Sequence, residues 1–178
     1  GKTEFPHLHF QVERYTNVID PFVGLAFGYD CDNASSRVNL WDAEAKLKAK
    51  YHPTGILGVG FTTQPPTKEE VQAGYHRATE LSGNDEMMVF WAELFGIRRG
   101  DRLYLSLQDP KGNVLAQTDE VFDRSKAQIF YYVGKRNTKG LWPPGIYTAW
   151  VQLLRAPAKD QKDWQKVIVK RTTIVVGQ

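Results

Sequence analysis

The sequence predicts a mainly β protein whose larger part is an antiparallel β-sandwich. Residues 55–178 alternate apolar and polar side chains in six or seven short runs, the period-2 pattern of strands with one buried face. Clusters of Gly, Pro, Asn and Asp separate these runs at the spacing of turns in a sandwich. This stretch is also long enough to bury a hydrophobic core.

The composition excludes several classes of protein. The 178 residues are 42% hydrophobic and 24% charged, so the chain can bury enough apolar surface to fold. Cys31 is the only cysteine, which excludes a disulfide scaffold and leaves an inert residue as its simplest interpretation. The net charge of +3 is spread along the chain and supports a polyanionic partner only weakly. We expect no nucleic-acid binding, and no apolar run approaches the length of a membrane span.

The first predicted strand is Phe5–Arg14, and a loop and helix follow it. Alternation places three apolar and three polar residues on opposite faces of the strand. Residues 24–39 are rich in Gly, Asp, Asn and Ser and indicate a linker. Residues 41–51 favour a short helix with Asp42 as its N-cap. The predicted buried face of the strand carries Leu8, Phe10 and Val12, and the other face carries His7, His9 and Gln11.

The sandwich elements follow from turn signals and periodicity. Thr67 and Glu70 have the spacing of a capping box, which predicts a short helix that ends near Gly74. Pro144-Gly145-Ile146-Tyr147 resembles the turn and tyrosine that open a strand in immunoglobulin-like sandwiches, which makes the predicted sandwich immunoglobulin-like. The predicted strands cover residues 55–63, 88–95, 103–107, 114–121, 127–133, 147–153 and 167–176.

One segment, Pro6-His7-Leu8-His9-Phe10-Gln11-Val12-Glu13-Arg14, has residues suited to metal chemistry. His7 and His9 are two residues apart on a strand, so both imidazoles lie on one face and can converge on one point. Neutral imidazole is a common zinc ligand. Spacing alone also fits two histidines that face solvent on an edge strand, and by itself it favours that interpretation.

The same segment, with Asp20-Pro21 after it, resembles the final motif of lysostaphin-type (LytM-like) zinc metallopeptidases. That family usually shows Gly-Pro-His-Leu-His-Phe-Glu-Val-Arg, a short β-turn and Asp-Pro. Phe5 and Gln11 stand where Gly and Glu are common. The resemblance, which covers about 20 residues, implies that His9 is a zinc ligand and His7 the catalytic histidine beside the metal. It also implies a substrate in the peptide cross-links of bacterial peptidoglycan.

The family takes two further zinc ligands from an upstream His-x-x-x-Asp, and no such motif precedes His7 in this sequence. His52 lacks the spacing, and His76 with Glu80 has it only downstream, with Glu in place of Asp. One ligand cannot retain a catalytic zinc. We therefore expect this chain to be the C-terminal part of a peptidase cut within its catalytic domain, inactive and without zinc by itself.

The expected organisation has three parts. Residues 1–24 are a β remnant of the peptidase domain, residues 25–54 a loop and helix connector, and residues 55–178 the sandwich. We expect a parent protein in the periplasm, the cell envelope or the secreted fraction, with peptidoglycan or a cell-wall peptide as its partner. Self-association through the N-terminal strand is a further expectation, because an unpaired strand with exposed apolar residues favours association.

The alternative function is a non-enzymatic binding module for a glycan, a peptide or a partner protein. Trp150 lies on the strand face opposite Tyr147 and could stack on a sugar together with Phe130 or Tyr132. The competing interpretation makes Trp150 a core residue under the connector helix. The basic stretch of residues 135–139 beside Trp142 could bind an anionic polymer or be a solvated loop.

Overall fold

The computed structural model describes residues 10–22, 40–48, 52–138, 140–157 and 163–177, with the side chains of 46–48 excepted. These residues belong to two compact units, one ending at His52 and the other beginning at Pro53. Each unit is described separately below. His7, His9 and Cys31 lie outside the described residues.

The first unit contains a small hairpin and a short helix. Strands β1 (Val12–Arg14) and β2 (Asn17–Ile19) pair antiparallel, and helix α1 covers Ala43–Lys48. The two residues between the strands both have a left-handed backbone, with φ of 49° at Tyr15 and 67° at Thr16. Two such residues form the type I′ turn that matches the twist of a two-residue hairpin.

Two sequence predictions for this unit have different outcomes. The N-cap is confirmed, because Asp42 Oδ1 accepts a hydrogen bond from the Ala45 N–H at 2.7 Å. The prediction that Phe10 lies on the buried face of a strand is wrong. Phe10 is 66% exposed and precedes the first residue of β1. Its ring stacks on Trp41 at 6.4 Å, so a local aromatic contact takes the place of strand packing there.

The second unit is a sandwich of two sheets, and the predicted fold class is confirmed. One sheet has the order β3-β5-β8, and the other has the order β4-β10-β9-β6-β7. Every pair is antiparallel except β10 with the two-residue β4. The elements are β3 Gly55–Thr62, α2 Lys68–Gln72, β4 Glu80–Leu81, β5 Met87–Ile97, β6 Arg102–Gln108, β7 Val114–Val121, β8 Lys126–Arg136, β9 Gly145–Arg155 and β10 Gln165–Val176.

The core lies between the two sheets and consists of the inward-facing residues of each strand. Alternation on β6 and β9 leaves every second side chain fully buried, as the sequence predicts. Strand β5 supplies the matching residues from the other sheet. The buried residues from these three strands include Met88, Phe90, Ala92, Leu94, Leu103, Leu105, Leu107, Tyr147, Ala149, Val151 and Leu153.

Strand β5 is buried on its outer face as well, and Trp91 explains why β3 is rich in glycine. The fully buried indole lies against Gly58 and Gly60, where a Cβ would come within 3.1 and 2.8 Å of its ring. Its Nε1–H donates to the carbonyl of His76 at 2.8 Å, and the guanidinium of Arg77 lies 5.7 Å from its ring. The segment around α2 therefore covers this part of the sheet.

The turn before β9 is joined to the buried Tyr147 by a hydrogen bond. Tyr147 is fully buried, and its hydroxyl donates to the carbonyl of Pro143 at 3.0 Å. This bond ties the first residues of β9 to the preceding turn, as in the tyrosine corner of immunoglobulin-like folds.

Among the described residues, no helix is both long and apolar enough to cross a membrane.

Candidate functional site

The predicted zinc residues, His7 and His9, are outside the described part of the chain, so their roles stay predictions. The second half of the motif is described. Strand, two-residue turn and strand follow one another from Val12 to Ile19, and Asp20-Pro21 comes directly after. Asp20 Oδ1 accepts a hydrogen bond from the Phe22 N–H at 2.7 Å, which closes a turn around Pro21.

Within the described residues, no group of three His, Cys, Asp or Glu side chains could hold a metal ion. The downstream pair with ligand spacing is not brought together as a site. His76 contacts the Glu70 carboxylate at 3.3 Å and the Thr62 hydroxyl at 3.4 Å, whereas Glu80 lies exposed in the short β4. A catalytic zinc needs three protein ligands, and the resemblance implies one in this sequence, His9. The described part of the chain therefore does not by itself assemble a catalytic zinc site.

A groove of about 470 Å³ lies on the outer face of the five-stranded sheet. Trp150 of β9 lies in it and is half-buried, so it is not the core residue of the competing interpretation. The hairpin loop between β6 and β7 forms one side of the groove. Its lining residues are Gln108, Asp109, Pro110, Lys111, Gly112, Ile146, Thr148, Trp150 and Arg171.

The strand register shows which residues of neighbouring strands lie beside Trp150. Trp150 is directly opposite Ser106 on β6 and Arg171 on β10, and antiparallel partners share a face. Ser106 is 1% exposed, so its small side chain is covered on this face of the sheet. Arg171 Nη2 lies 3.4 Å from the hydroxyl of Thr148, which also faces the groove.

The groove has a net positive charge, because its lining contains two cationic side chains, Lys111 and Arg171, and one carboxylate, Asp109. Among the described residues, no carboxylate lies at ion-pairing distance from Arg171. Asp109 lines the groove, but its oxygens accept three hydrogen bonds at 2.8 Å within the loop, from Lys111 and Asn113. The side-chain hydrogen bond from Asn113 is the main cause that lowers the pKa of Asp109. The ionised Asp109 offsets the charge of the neighbouring Lys111, which leaves Arg171 to meet an incoming anion.

The aromatic residues of β8 lie on the opposite side of the sandwich. Phe130 and Tyr132 contact each other at 6.4 Å on the outer face of the three-stranded sheet. A single platform formed by Trp150 with either of them is therefore excluded, because two sheets separate the rings. Glu93 is buried on the same face as Phe130, and its carboxylate accepts hydrogen bonds from Gln72 at 2.6 Å and Gln128 at 2.5 Å.

The basic stretch borders a separate groove of about 370 Å³, to which Lys135 and Arg136 contribute. Trp142 is only 7% exposed, and its Nε1–H donates to the carbonyl of Asp85 at 2.7 Å. Its indole therefore belongs to the core and offers no free face to a ligand at this loop.

Comparison with known proteins supplies no family. Neither a protein-family model nor a curated protein matches the sequence. Among solved structures, the C-terminal domain of Wzt is similar, with 13% identity over 71% of this chain and 73% of that chain and a TM-score of 0.43. A β-glucuronidase of Bifidobacterium dentium, complexed with coumarin-3-O-glucuronide, aligns at 18% identity and a TM-score of 0.39. That alignment covers 70% of this chain and 18% of the enzyme, and likenesses this distant carry no functional argument.

Proposed function

We propose that this chain is the C-terminal part of a zinc endopeptidase of the bacterial cell wall, joined to a non-catalytic β-sandwich. The observation that carries the proposal is the order of elements after the His-Leu-His-Phe core. A strand, a two-residue turn, a second strand and Asp20-Pro21 follow in the sequence of the family motif. In the parent protein, His9 would be one of the zinc ligands, and His7 would lie beside the metal and orient the attacking water.

Zinc in such an enzyme lowers the pKa of its bound water and polarises the scissile carbonyl. The chain described here would contribute one imidazole to the metal and one to proton handling, and the remaining ligands would come from an upstream His-x-x-x-Asp. A parent protein in the cell envelope, the periplasm or the secreted fraction would have access to the peptide cross-links of peptidoglycan.

The first test is the coding sequence upstream of residue 1. We expect an in-frame His-x-x-x-Asp within one catalytic domain's length, and a stop codon or an unrelated domain there would overturn the proposal. In the full-length product, we expect His9→Ala to lose bound zinc and wall hydrolysis together. His7→Ala should keep the zinc and lose the hydrolysis, while the exposed His52→Ala should change neither.

A second candidate function, a binding module, is favoured by the Trp150 groove. A half-buried indole beside an arginine in a groove offers an apolar surface together with a charged group that can orient a ligand. Binding of the chain to purified cell walls, measured by sedimentation, tests this role without any catalytic residue. A chain that stays in the supernatant with every wall preparation would contradict it.

A further inference from the structure

We propose that the groove beside Trp150 binds an acidic saccharide, with one sugar ring on the indole and its carboxylate or phosphate on Arg171. The inference rests on the proposed binding role of the sandwich and names the site and the class of ligand. It does not depend on the peptidase proposal, because none of the groove residues belongs to the histidine motif.

The stacking part of the proposal rests on how Trp150 differs from the two buried tryptophans of the sandwich. Trp91 is fully buried and Trp142 is 7% exposed, and the Nε1–H of each donates to a backbone carbonyl. Trp150 lies on the groove wall and keeps part of its surface open. An indole face packs well against the apolar C–H face of a pyranose ring, and strand β9 holds it between two hydrogen-bonded neighbours.

The charge part of the proposal rests on Arg171 and Lys111. Arg171 is directly opposite Trp150, so its guanidinium can reach a substituent of a ring that stacks there. A guanidinium forms paired, charge-assisted hydrogen bonds with a carboxylate or a phosphate. Lys111 on the hairpin loop offsets the negative charge of Asp109, so the charge of Arg171 is not cancelled within the groove. Thr148 and Gln108 offer neutral hydrogen-bonding groups for sugar hydroxyls.

The location of the groove argues against an extended peptide as the ligand. Peptides commonly bind by adding a strand to a sheet edge, where backbone groups are free. The groove instead lies over β9, whose backbone is already paired with β6 and β10 on both sides. A ligand there must be held by side chains, which suits a flat ring with polar substituents.

The test is isothermal titration calorimetry of the full chain with four probes. These are a muramic-acid disaccharide that carries a carboxylate, an N-acetylglucosamine disaccharide that carries a phosphate, a neutral chitooligosaccharide and a wall stem peptide without sugar. We expect binding of at least one acidic probe that weakens as salt increases, and much weaker binding of the neutral sugar. The two acidic probes distinguish a carboxylate from a phosphate as the bound group.

Variants with matched controls locate the site. Trp150→Ala should weaken binding of the acidic probe about tenfold or more, and Trp150→Phe should restore part of the loss. Arg171→Gln should weaken the acidic probe about tenfold and change the neutral sugar little. The controls are Trp164→Ala, at an exposed tryptophan outside the groove, and Arg99→Gln, at an exposed turn arginine. Near-ultraviolet circular dichroism shows whether each variant keeps the fold.

Each failure has a distinct meaning. If acidic sugars bind but the groove variants behave as the controls do, the site is wrong and the binding role stands. If only the stem peptide binds, the saccharide class is wrong. If no probe binds and the chain does not sediment with walls, the binding role fails together with this inference. An upstream sequence without zinc ligands would contradict the peptidase proposal alone.

Discussion

Asp101 is a fully buried carboxylate whose charge is matched by Arg155. Its two oxygens accept hydrogen bonds from the guanidinium at 2.9 and 2.8 Å, and Oδ2 also accepts from the Arg98 N–H at 2.9 Å. The hydrogen bond to Asp101 is the main cause that raises the pKa of Arg155. The pair joins the turn before β6 to the end of β9, 54 residues away along the chain.

We expect Asp101→Ala to lower the free energy of unfolding by about 3–5 kcal/mol, because it leaves a mostly buried guanidinium without its partner. The matched control is Asp119→Ala, which removes the partner of Arg102 in an exposed pair. Its effect should be much smaller, since exposed ion pairs contribute little. Urea unfolding followed by fluorescence measures both. Equal losses of unfolding free energy in the two variants would contradict the expectation that burial makes the Asp101 pair more stabilising than the exposed one.

At the scale of the element, strand β3 depends on its glycines for the position of Trp91. A Cβ at Gly60 would lie 2.8 Å from the indole, and the Trp91 side chain is held by its bond to His76. We expect Gly60→Ala to destabilise the protein by about 1–3 kcal/mol through overpacking. The control is Gly177→Ala, where nothing lies within 4 Å of the added carbon. If thermal melts show the two variants to be equally stable, the indole moves more freely than the contacts indicate.

Helix α2 begins at the capping box that the sequence predicts. Thr67 N–H and Oγ1 donate to Glu70 Oε2 at 2.8 and 2.9 Å, and the Glu70 N–H donates back to Thr67 Oγ1 at 3.2 Å. The hydrogen bond from the Thr67 backbone is the main cause that lowers the pKa of Glu70 from 4.5. Because the pKa of Glu70 is lowered in the folded state, the ionised carboxylate stabilises the fold when the pH is above the usual pKa. This stabilisation is lost as the pH falls through the lowered pKa.

We therefore expect Glu70→Gln to melt at a lower temperature than the parent chain near pH 7. The difference should disappear in acid, below the lowered pKa, because the parent carboxyl is then neutral as well. Glu69→Gln, on the same helical turn and exposed, is the control and should show little change at either pH. A difference between Glu70→Gln and the parent that persists in acid would assign the stabilisation to geometry and not to charge.

At the scale of the molecule, the residues of the main core all lie within the second unit. The cluster extends from Phe61 to Val176, and both sheets are formed by strands between Gly55 and Val176. A unit with its own core can fold alone. We expect residues 53–178, produced separately, to unfold in one cooperative transition and to give dispersed amide signals in NMR. A broad transition with collapsed signals would show that the first 52 residues are needed for folding.

The sequence determined the class of fold and most element positions, because those depend on local patterns. Alternation on β6 and β9, the Asp42 and Thr67 caps, and the turn before Tyr147 are each encoded within a few neighbouring residues. The same local reasoning was wrong at Phe10, where a ring contact with Trp41 replaces the predicted burial.

The tertiary structure alone decided which distant residues share a surface. The pairing of β9 with β10 brings Arg171 beside Trp150, and the assignment of β8 to the other sheet separates Tyr132 from both. The ion pair between Asp101 and Arg155 likewise joins two turns that no short motif connects. Strand order and register depend on long-range pairing, which alternation does not encode, because a strand's pattern fixes which of its residues face the core and not which strand lies next to it.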